Sequence, residues 1–403
     1  MSVDTSVDKG ADTKLLAWLG GKFFMRHMEA QGYRLAHIPL TSPQALTWED
    51  ICARCGAAPD AVVYADRSLP PPLLGLERYP ALTAFYCIDS HIHGWYPLYA
   101  GAFDLCAVSL KGDLERFDAG RAPGRVLWLP PFAEERYLSA QPDPPALADQ
   151  PAHSDQPDQA DKDIKGGTGE NHQQHDQPAQ LDTDGMGGQA HAHVATGTDF
   201  DLLFVGTVDP DTTPQRHDFL RRLGRVFPGL ATRQGDFTEL LPRARVALNI
   251  AERGDLNFRV FEALACGACL LTPKIANGQD ELFEDGVHFV TYRPDDEADA
   301  AAKARALLAD DLLDGGVRRK AVGRAGFARV NALHRPWHRA EALAALLRQG
   351  FDEGLPAQRL ASPDRALGAA LRLLYLHWAE HCGDPALAAR YLAEARRLPH
   401  PAA

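Results

Sequence analysis

Arg259 and Glu262 stand three residues apart in the stretch NFRVFEALACGACLLTP, which begins at Asn257. At helical spacing they lie on one side of a helix. The forked guanidinium of Arg259 suits a diphosphate. The carboxylate of Glu262, one turn further in, can accept both hydroxyls of a ribose. The same pair also reads as a solvated ion pair, which is common on helices. Ahead of it, the loop Ala251–Asn257 carries the chain from the apolar run RVALNI into the helix. A helix tip offers free amides and a dipole that favours phosphate, so Asn257 and Phe258 stand beside any anion bound there. Phe258, Phe261, Leu264 and Ala265 share the apolar stripe of that helix.

Other residues join this group by position. Gly206 closes the apolar run DLLFVG. A side chain there would block the close approach of a phosphate, although an ordinary strand-end glycine reads the same way. Arg216 falls on the next helix and faces either the phosphates or solvent. Thr272 and the loop Lys274–Gln279 lie at another strand end and could border a base or diphosphate. Earlier in the chain, Asp89, His91 and His93 cluster in CIDSHIHG. A group at such an edge can act as a base or hydrogen-bond a sugar. Metal binding and plain loop packing are the alternatives, and no distant third metal ligand is evident. Gly20-Gly21-Lys22 sits where a strand meets a helix and forms either a ligand-facing glycine turn or a tight turn alone.

The elements that must hold these residues alternate along the chain. Leu15–Leu19, Tyr33–Pro39, Ala61–Tyr64, Ala81–Ile88, Leu105–Val108 and Val126–Leu129 read as short apolar strands, and Lys22–Gln31 as a helix stopped by Gly32. Such alternation predicts a parallel sheet with helices on both faces. From Ala140 to Asp199 the chain holds 11 acidic and 2 basic residues, five histidines, and no aromatic residue. A segment of that composition cannot bury enough surface to fold, so it reads as a disordered insert between two halves. Order resumes at Asp201 with a second alternation: strands DLLFVG, RVALNI, ACLLTP and HFVTY, and helices His217–Val226, Phe258–Cys266, ELFEDG and Ala298–Ala309. After the helix His338–Arg348 and a turn at Gly350, helices Arg365–Cys382 and Pro385–Arg397 form a hairpin that should pack on the body. The expected divisions are thus 1–139, 140–199, 200–349 and 350–403.

NFRVFEALACGACLLTP with the following ELFEDGVHFVTYRP resembles the C-terminal signature of the glycosyltransferase group 1 superfamily, in particular its spore-maturation-protein-like branch. The resemblance covers Asp201–Ala345 well and Asp89–Tyr137 more loosely. It implies the GT-B architecture, an α/β fold of two Rossmann-like domains facing across a cleft. It also implies sugar transfer from a nucleotide-diphosphate donor to a hydroxyl acceptor on a glycan, lipid or protein; helix amides and arginines can stabilise the leaving diphosphate, so no divalent metal is expected. By this resemblance Glu262 matches the glutamate that binds the donor ribose, and Gly206 the glycine beside the donor. The larger family often carries another glutamate eight positions earlier, where this chain has Gly254. Glu252 or Asp255 could stand in for it. A nucleotide-sugar epimerase and a non-catalytic sugar-binding or scaffold protein are the rival readings.

Composition excludes other classes. The formal net charge is -12 over 403 residues, but outside the insert 43 acids face 40 bases. A near-neutral fold lacks the basic face that nucleic acid requires. No run is apolar and long enough to span a membrane, and the polar N-terminus does not read as a signal peptide. Seven cysteines in mostly apolar contexts fit a reducing, cytoplasmic compartment. Cys52/Cys55 and Cys266/Cys269 have zinc-like spacing and read as small buried apolar residues.

Overall fold

The structure, a computed structural model, describes residues 13–138 and 199–400. The N-terminal stretch and the His-rich insert lie outside the described residues. In the first half run β1 (Lys14–Gly20), β2 (Tyr33–Ile38), α1 (Trp48–Cys55), β3 (Ala61–Ala65), β4 (Leu82–Cys87), α2 (Tyr96–Ala100), β5 (Leu105–Val108), α3 (Leu114–Asp118) and β6 (Val126–Trp128). The six strands pair in parallel in the order β2-β1-β3-β4-β5-β6.

The second half carries β7 (Phe200–Val205), α4 (Pro214–Val226), β8 (Leu230–Arg233), α5 (Phe237–Leu240), β9 (Ala244–Leu248), α6 (Phe258–Ala265), β10 (Leu270–Pro273), α7 (Gln279–Leu282) and β11 (Val290–Tyr292). Its five strands are also parallel, in the order β11-β10-β9-β7-β8. Helices α8 (Glu297–Asp314), α9 (Val317–Leu333), α10 (Pro336–Asp352), α11 (Leu355–Ala361), α12 (Arg365–His381) and α13 (Pro385–Arg397) complete the chain. The expected two-sheet α/β fold is present.

Each sheet is buried on both faces, and successive residues of a strand serve opposite cores. Ala17 and Leu19 of β1 join Val62, Tyr64, Phe85 and Val108 on one face of the first sheet. Leu16 and Trp18 join Val63, Ala84, Tyr86 and Leu105 on the other. The C-terminal hairpin covers the first of these faces with Leu371, Leu374, Tyr375 and Tyr391. Helix α10 covers the second with Leu343, Ala344 and Leu347. Although α10 follows the second half in sequence, it packs on the first sheet.

Buried arginines secure that crossover. Arg339 donates to the carbonyls of Pro130 (2.7 Å) and Pro131 (2.8 Å). Arg335 donates to the Glu134 carbonyl at 2.9 Å. The two passages of the chain between the halves are thereby clasped side by side.

Several elements differ from expectation. Met25–Gln31 is a 3-10 helix ending at Gly32, φ 90°. Helix α7 begins at Gln279, ahead of the expected ELFEDG. Helix α10 passes through Gly350 without turning; the glycine marks a close approach to the first sheet, where a Cβ would meet Leu82 and Leu105 at 2.9 Å. Helix α1 is signalled by a Thr47–Asp50 capping box. All seven cysteines are free, and Cys266 and Cys269 are buried in the second half's cores.

Candidate functional site

Strand order reverses between β1 and β3 in one sheet and between β7 and β9 in the other. Loops leaving the carboxyl ends on either side of a reversal splay apart and leave a crevice for ligands. Here the two crevices face each other. Phe23, just past β1, stacks with Phe258 at the start of α6, with centroids 6.5 Å apart. Beyond β5, the Gly112 amide donates to Asn277 Oδ1 at 2.9 Å, and Lys111 pairs with Glu281.

In the second half, Gly206 follows β7 at φ 150°, and a Cβ there would lie 2.9 Å from Arg259 Nη2. Arg216 and Arg259 stand over the Phe204 ring at 5.8 and 4.9 Å. Arg216 donates to the Thr207 carbonyl at 2.8 Å and pairs with Glu252 at 3.2 Å. Arg259 donates to Asn249 Oδ1 at 3.4 Å. The Nε atoms of both arginines, and Asn257 Oδ1, are buried without a partner. Burial first, and then the charge of Arg216, brings Arg259 down to about 10, so it stays cationic at neutral pH. Two adjacent guanidiniums, Arg216 paired with Glu252, thus bring unfilled Nε donors beside a helix tip whose Asn257 makes no side-chain cap, a chemistry that suits an anion.

Glu262 lies one turn further along, with its side chain 13% exposed and Arg136 Nη2 4.0 Å away. Its Oε1 accepts the Tyr137 hydroxyl at 2.9 Å. Burial raises its pKa, opposed by Tyr137 and Arg136. The reading of Arg259 and Glu262 as a solvated ion pair therefore does not hold: the two side chains serve different partners. Phe258 also departs from expectation. It is held against Phe23 and against Phe132, 5.6 Å away, which commits its ring to the seam between the halves. Gly254 has φ 67°, and its carbonyl accepts Asn277 Nδ2 at 2.6 Å.

In the first half, Asp89 follows β4 and accepts the Ser68 hydroxyl at 3.4 Å. Burial, and then the neighbouring Asp66, raises its pKa to about 6, with a smaller contribution from Asp255 across the crevice. His91 Nδ1 and His93 Nε2 are buried without partners. His93 stacks on Trp95 at 5.6 Å, and burial lowers its pKa. Among the described residues, no three His, Cys, Asp or Glu side chains are grouped to hold a metal. Gly21 donates its amide to the Ala65 carbonyl at 3.2 Å. A Cβ at Gly21 would strike the Phe23 ring at 2.2 Å, so this glycine shapes the turn that sets Phe23 in the seam.

Sequence reasoning misses Asp66. Its Oδ1 accepts the Tyr96 hydroxyl at 2.7 Å and the Ser68 amide at 2.9 Å, while Oδ2 is buried and unpartnered. Asp66 and Asp89 thus form a carboxylate pair bridged by Ser68, with a proton acceptor at Asp89 poised near neutrality.

Residues 198–345 match the model of a family described as glycosyl transferase-like. This stretch, which holds the whole second sheet, is thus similar to glycosyl transferase-like proteins, as the resemblance to the group 1 superfamily leads one to expect. The match does not single out the spore-maturation-protein-like branch. No curated protein matches the chain. A glycosyltransferase from Rickettsia africae is similar in fold, at TM-score 0.50 and 9% identity, covering 88% of this chain and 100% of that one. Sucrose-phosphate synthase from Thermosynechococcus elongatus gives 0.49 and 13%, over 84% and 100%. An Anabaena protein, HepE, in complex with UDP and glucose gives 0.47 and 10%, over 84% and 100%. The two parallel sheets with their flanking helices make the GT-B architecture, two Rossmann-like units with their ligand edges opposed. No described helix is long and apolar enough to cross a membrane.

The Asp89 environment has a stability signature. Its folded pKa of about 6 lies above the ordinary 3.8, so the carboxyl is more easily ionised in the unfolded chain. Its contribution is fully present below pH 3.8 and is lost as pH rises through 6. We expect Asp89→Asn to flatten that part of the stability profile in urea titrations between pH 4 and 8. An unchanged slope would show that Asp89 is not held as described.

Proposed function

We propose that the chain transfers a sugar, of the hexose class, from a nucleotide-diphosphate donor to a hydroxyl acceptor. The observation that carries this reading is the convergence of Arg216 and Arg259 on the Phe204 ring beside Gly206, each with a buried, unpartnered Nε. In this reading the pyrophosphate sits against the two guanidiniums and the tip of α6, and the ribose lies toward Glu262. As the glycosidic bond breaks, negative charge grows on the leaving diphosphate. Fixed cations and helix amides stabilise that charge without reorganising, and we assign this work to them rather than to a resident metal. Asp89, opposite, takes the acceptor's proton. His91 and His93 offer ring nitrogens to the sugar or acceptor. Asp255, which faces Asp89, stands nearest to replacing the carboxylate absent at Gly254. Seven free thiols support placing the protein in the cytoplasm.

The test is a panel of UDP, GDP, ADP and TDP followed by thermal unfolding, then product analysis with the matching nucleotide sugars in the presence of EDTA. Ligand at a hundred times its Kd adds about 2.7 kcal/mol of stability, which is readily measured. We expect one or two of the diphosphates to stabilise the chain and the sugar to appear on a hydroxyl compound. No shift with any of them would end the proposal. Epimerised free nucleotide sugar would make the protein an epimerase. Binding without turnover would make it a nucleotide-sugar-binding module, for which the glycine at 254 would be the reason.

A further inference from the structure

Tyr137 belongs to the segment that leaves β6, yet it is fully buried in the core of the transferase-like domain. It is 125 residues from Glu262 in sequence. Arg136 Nη2 donates to the Tyr137 oxygen at 2.7 Å, and the Tyr137 hydroxyl donates to Glu262 Oε1 at 2.9 Å. A phenol has one proton and guanidinium nitrogens only donate, so the chain of bonds runs one way, from Arg136 through Tyr137 to Glu262. A cation behind the phenol strengthens the bond in front of it.

A carboxylate on a single helix turn can rotate about three side-chain bonds, and ordering it costs free energy each time a ligand binds. This contact removes that freedom in advance. It engages Oε1 and leaves Oε2 to a ligand. We propose that Tyr137, oriented by Arg136, is a positioning residue that presents Glu262 to the donor ribose and makes the site selective for a nucleotide with both ribose hydroxyls. The inference rests on the reading of Glu262 as the ribose acceptor. With one oxygen already engaged, the remaining one must serve the vicinal pair, so loss of either hydroxyl is felt. A freely turning carboxylate would tolerate a deoxyribose better.

The experiment uses the full chain, the ribonucleoside diphosphate that it binds best among UDP, GDP and ADP, the 2′-deoxy form of that nucleotide, and pyrophosphate. Affinities are read by calorimetry for the parent, Tyr137→Phe, Arg136→Gln and Glu262→Gln. We expect Tyr137→Phe to weaken the ribonucleotide about tenfold, to bring the ribo-to-deoxy ratio close to one, and to leave pyrophosphate unchanged. Arg136→Gln, which keeps the ring in place, should move the ratio in the same direction by less. Tighter nucleotide binding by Tyr137→Phe would show that the phenol blocks the ribose seat and would overturn the proposal. So would an unchanged ribo-to-deoxy ratio in both variants. Should Tyr137→Phe also lose pyrophosphate through misfolding, the ratio in Arg136→Gln decides alone. If Glu262→Gln changes no nucleotide affinity, the ribose reading itself fails. If Glu262→Gln weakens binding while Tyr137→Phe does not, only the role of Tyr137 falls.

Discussion

Arg259→Met should bind nucleotide diphosphates one to two orders of magnitude more weakly than the parent and yet melt at a higher temperature. The two effects have one cause. Hydrogen bonds to a charged group contribute about 1.5–3 kcal/mol each, and a forked guanidinium on a pyrophosphate makes such bonds at a crowded point. In the unliganded chain the same guanidinium is a liability. It is buried beside the like charge of Arg216, has an unpartnered Nε, and is less easily protonated than an ordinary arginine. Methionine keeps the apolar stem over Phe204 and removes the charge. Calorimetry with pyrophosphate and with the preferred nucleotide diphosphate, and thermal unfolding without ligand, check both halves. A lower melting temperature with unchanged affinity would show that Arg259 serves the fold, and the anion seat would have to be sought elsewhere.

Glu262→Ala should lose about tenfold or more in affinity for the nucleoside diphosphate and nothing for pyrophosphate. This is the reverse partition from Arg259→Met, which loses both. The carboxylate stands one turn beyond the tip of α6, out of reach of the phosphates if these sit at Gly206. The alanine variant also leaves the buried Tyr137 hydroxyl without its acceptor, so some stability should be lost. An unfilled buried donor costs about 1–3 kcal/mol. Equal loss for nucleotide and pyrophosphate would place Glu262 in the phosphate seat and redraw the site.

Much of this architecture is legible in the amino-acid string because parallel strands covered on both faces show unbroken apolar runs. AVVYA, LTAFYC and LCAV announce β3, β4 and β5. Strand β8, LATR, is a partly exposed edge strand, and nothing in its composition distinguishes it from a loop. Helix α9, which no expectation covered, contains Gly323 and Gly326. In the fold they are close approaches: a Cβ would meet the Gly267 carbonyl at 2.4 Å and the His288 carbonyl at 2.6 Å. Glu262 and the two arginines are readable because their spacing and the neighbouring strand ends carry chemical meaning. Asp66 is not, since YADRS looks like any solvated loop until the strand order places β3 beside β4. Nor does Tyr137 signal its role, because only the clasped crossover brings its segment to α6. Phe258 shows the opposite failure: a residue at the right address whose ring is taken by Phe23 and Phe132.

The closing hairpin reaches back to the first half through contacts of very long sequence separation. Arg78 donates to Glu394 across 316 residues, and Tyr391 to the Pro71 carbonyl across 320. Ribosomes add about 5–20 residues per second. The strands β1 to β6 therefore wait roughly 15–60 s after synthesis before α12 and α13 exist to cover them. For most of that interval α10 is also still to be made, so both apolar faces of the sheet lack their covering helices, the kind of nascent surface that engages chaperones and misassociates. Lesions in α12 or α13 should accordingly show themselves as poor yield and aggregation of the amino-terminal half, at a distance of three hundred residues from the change.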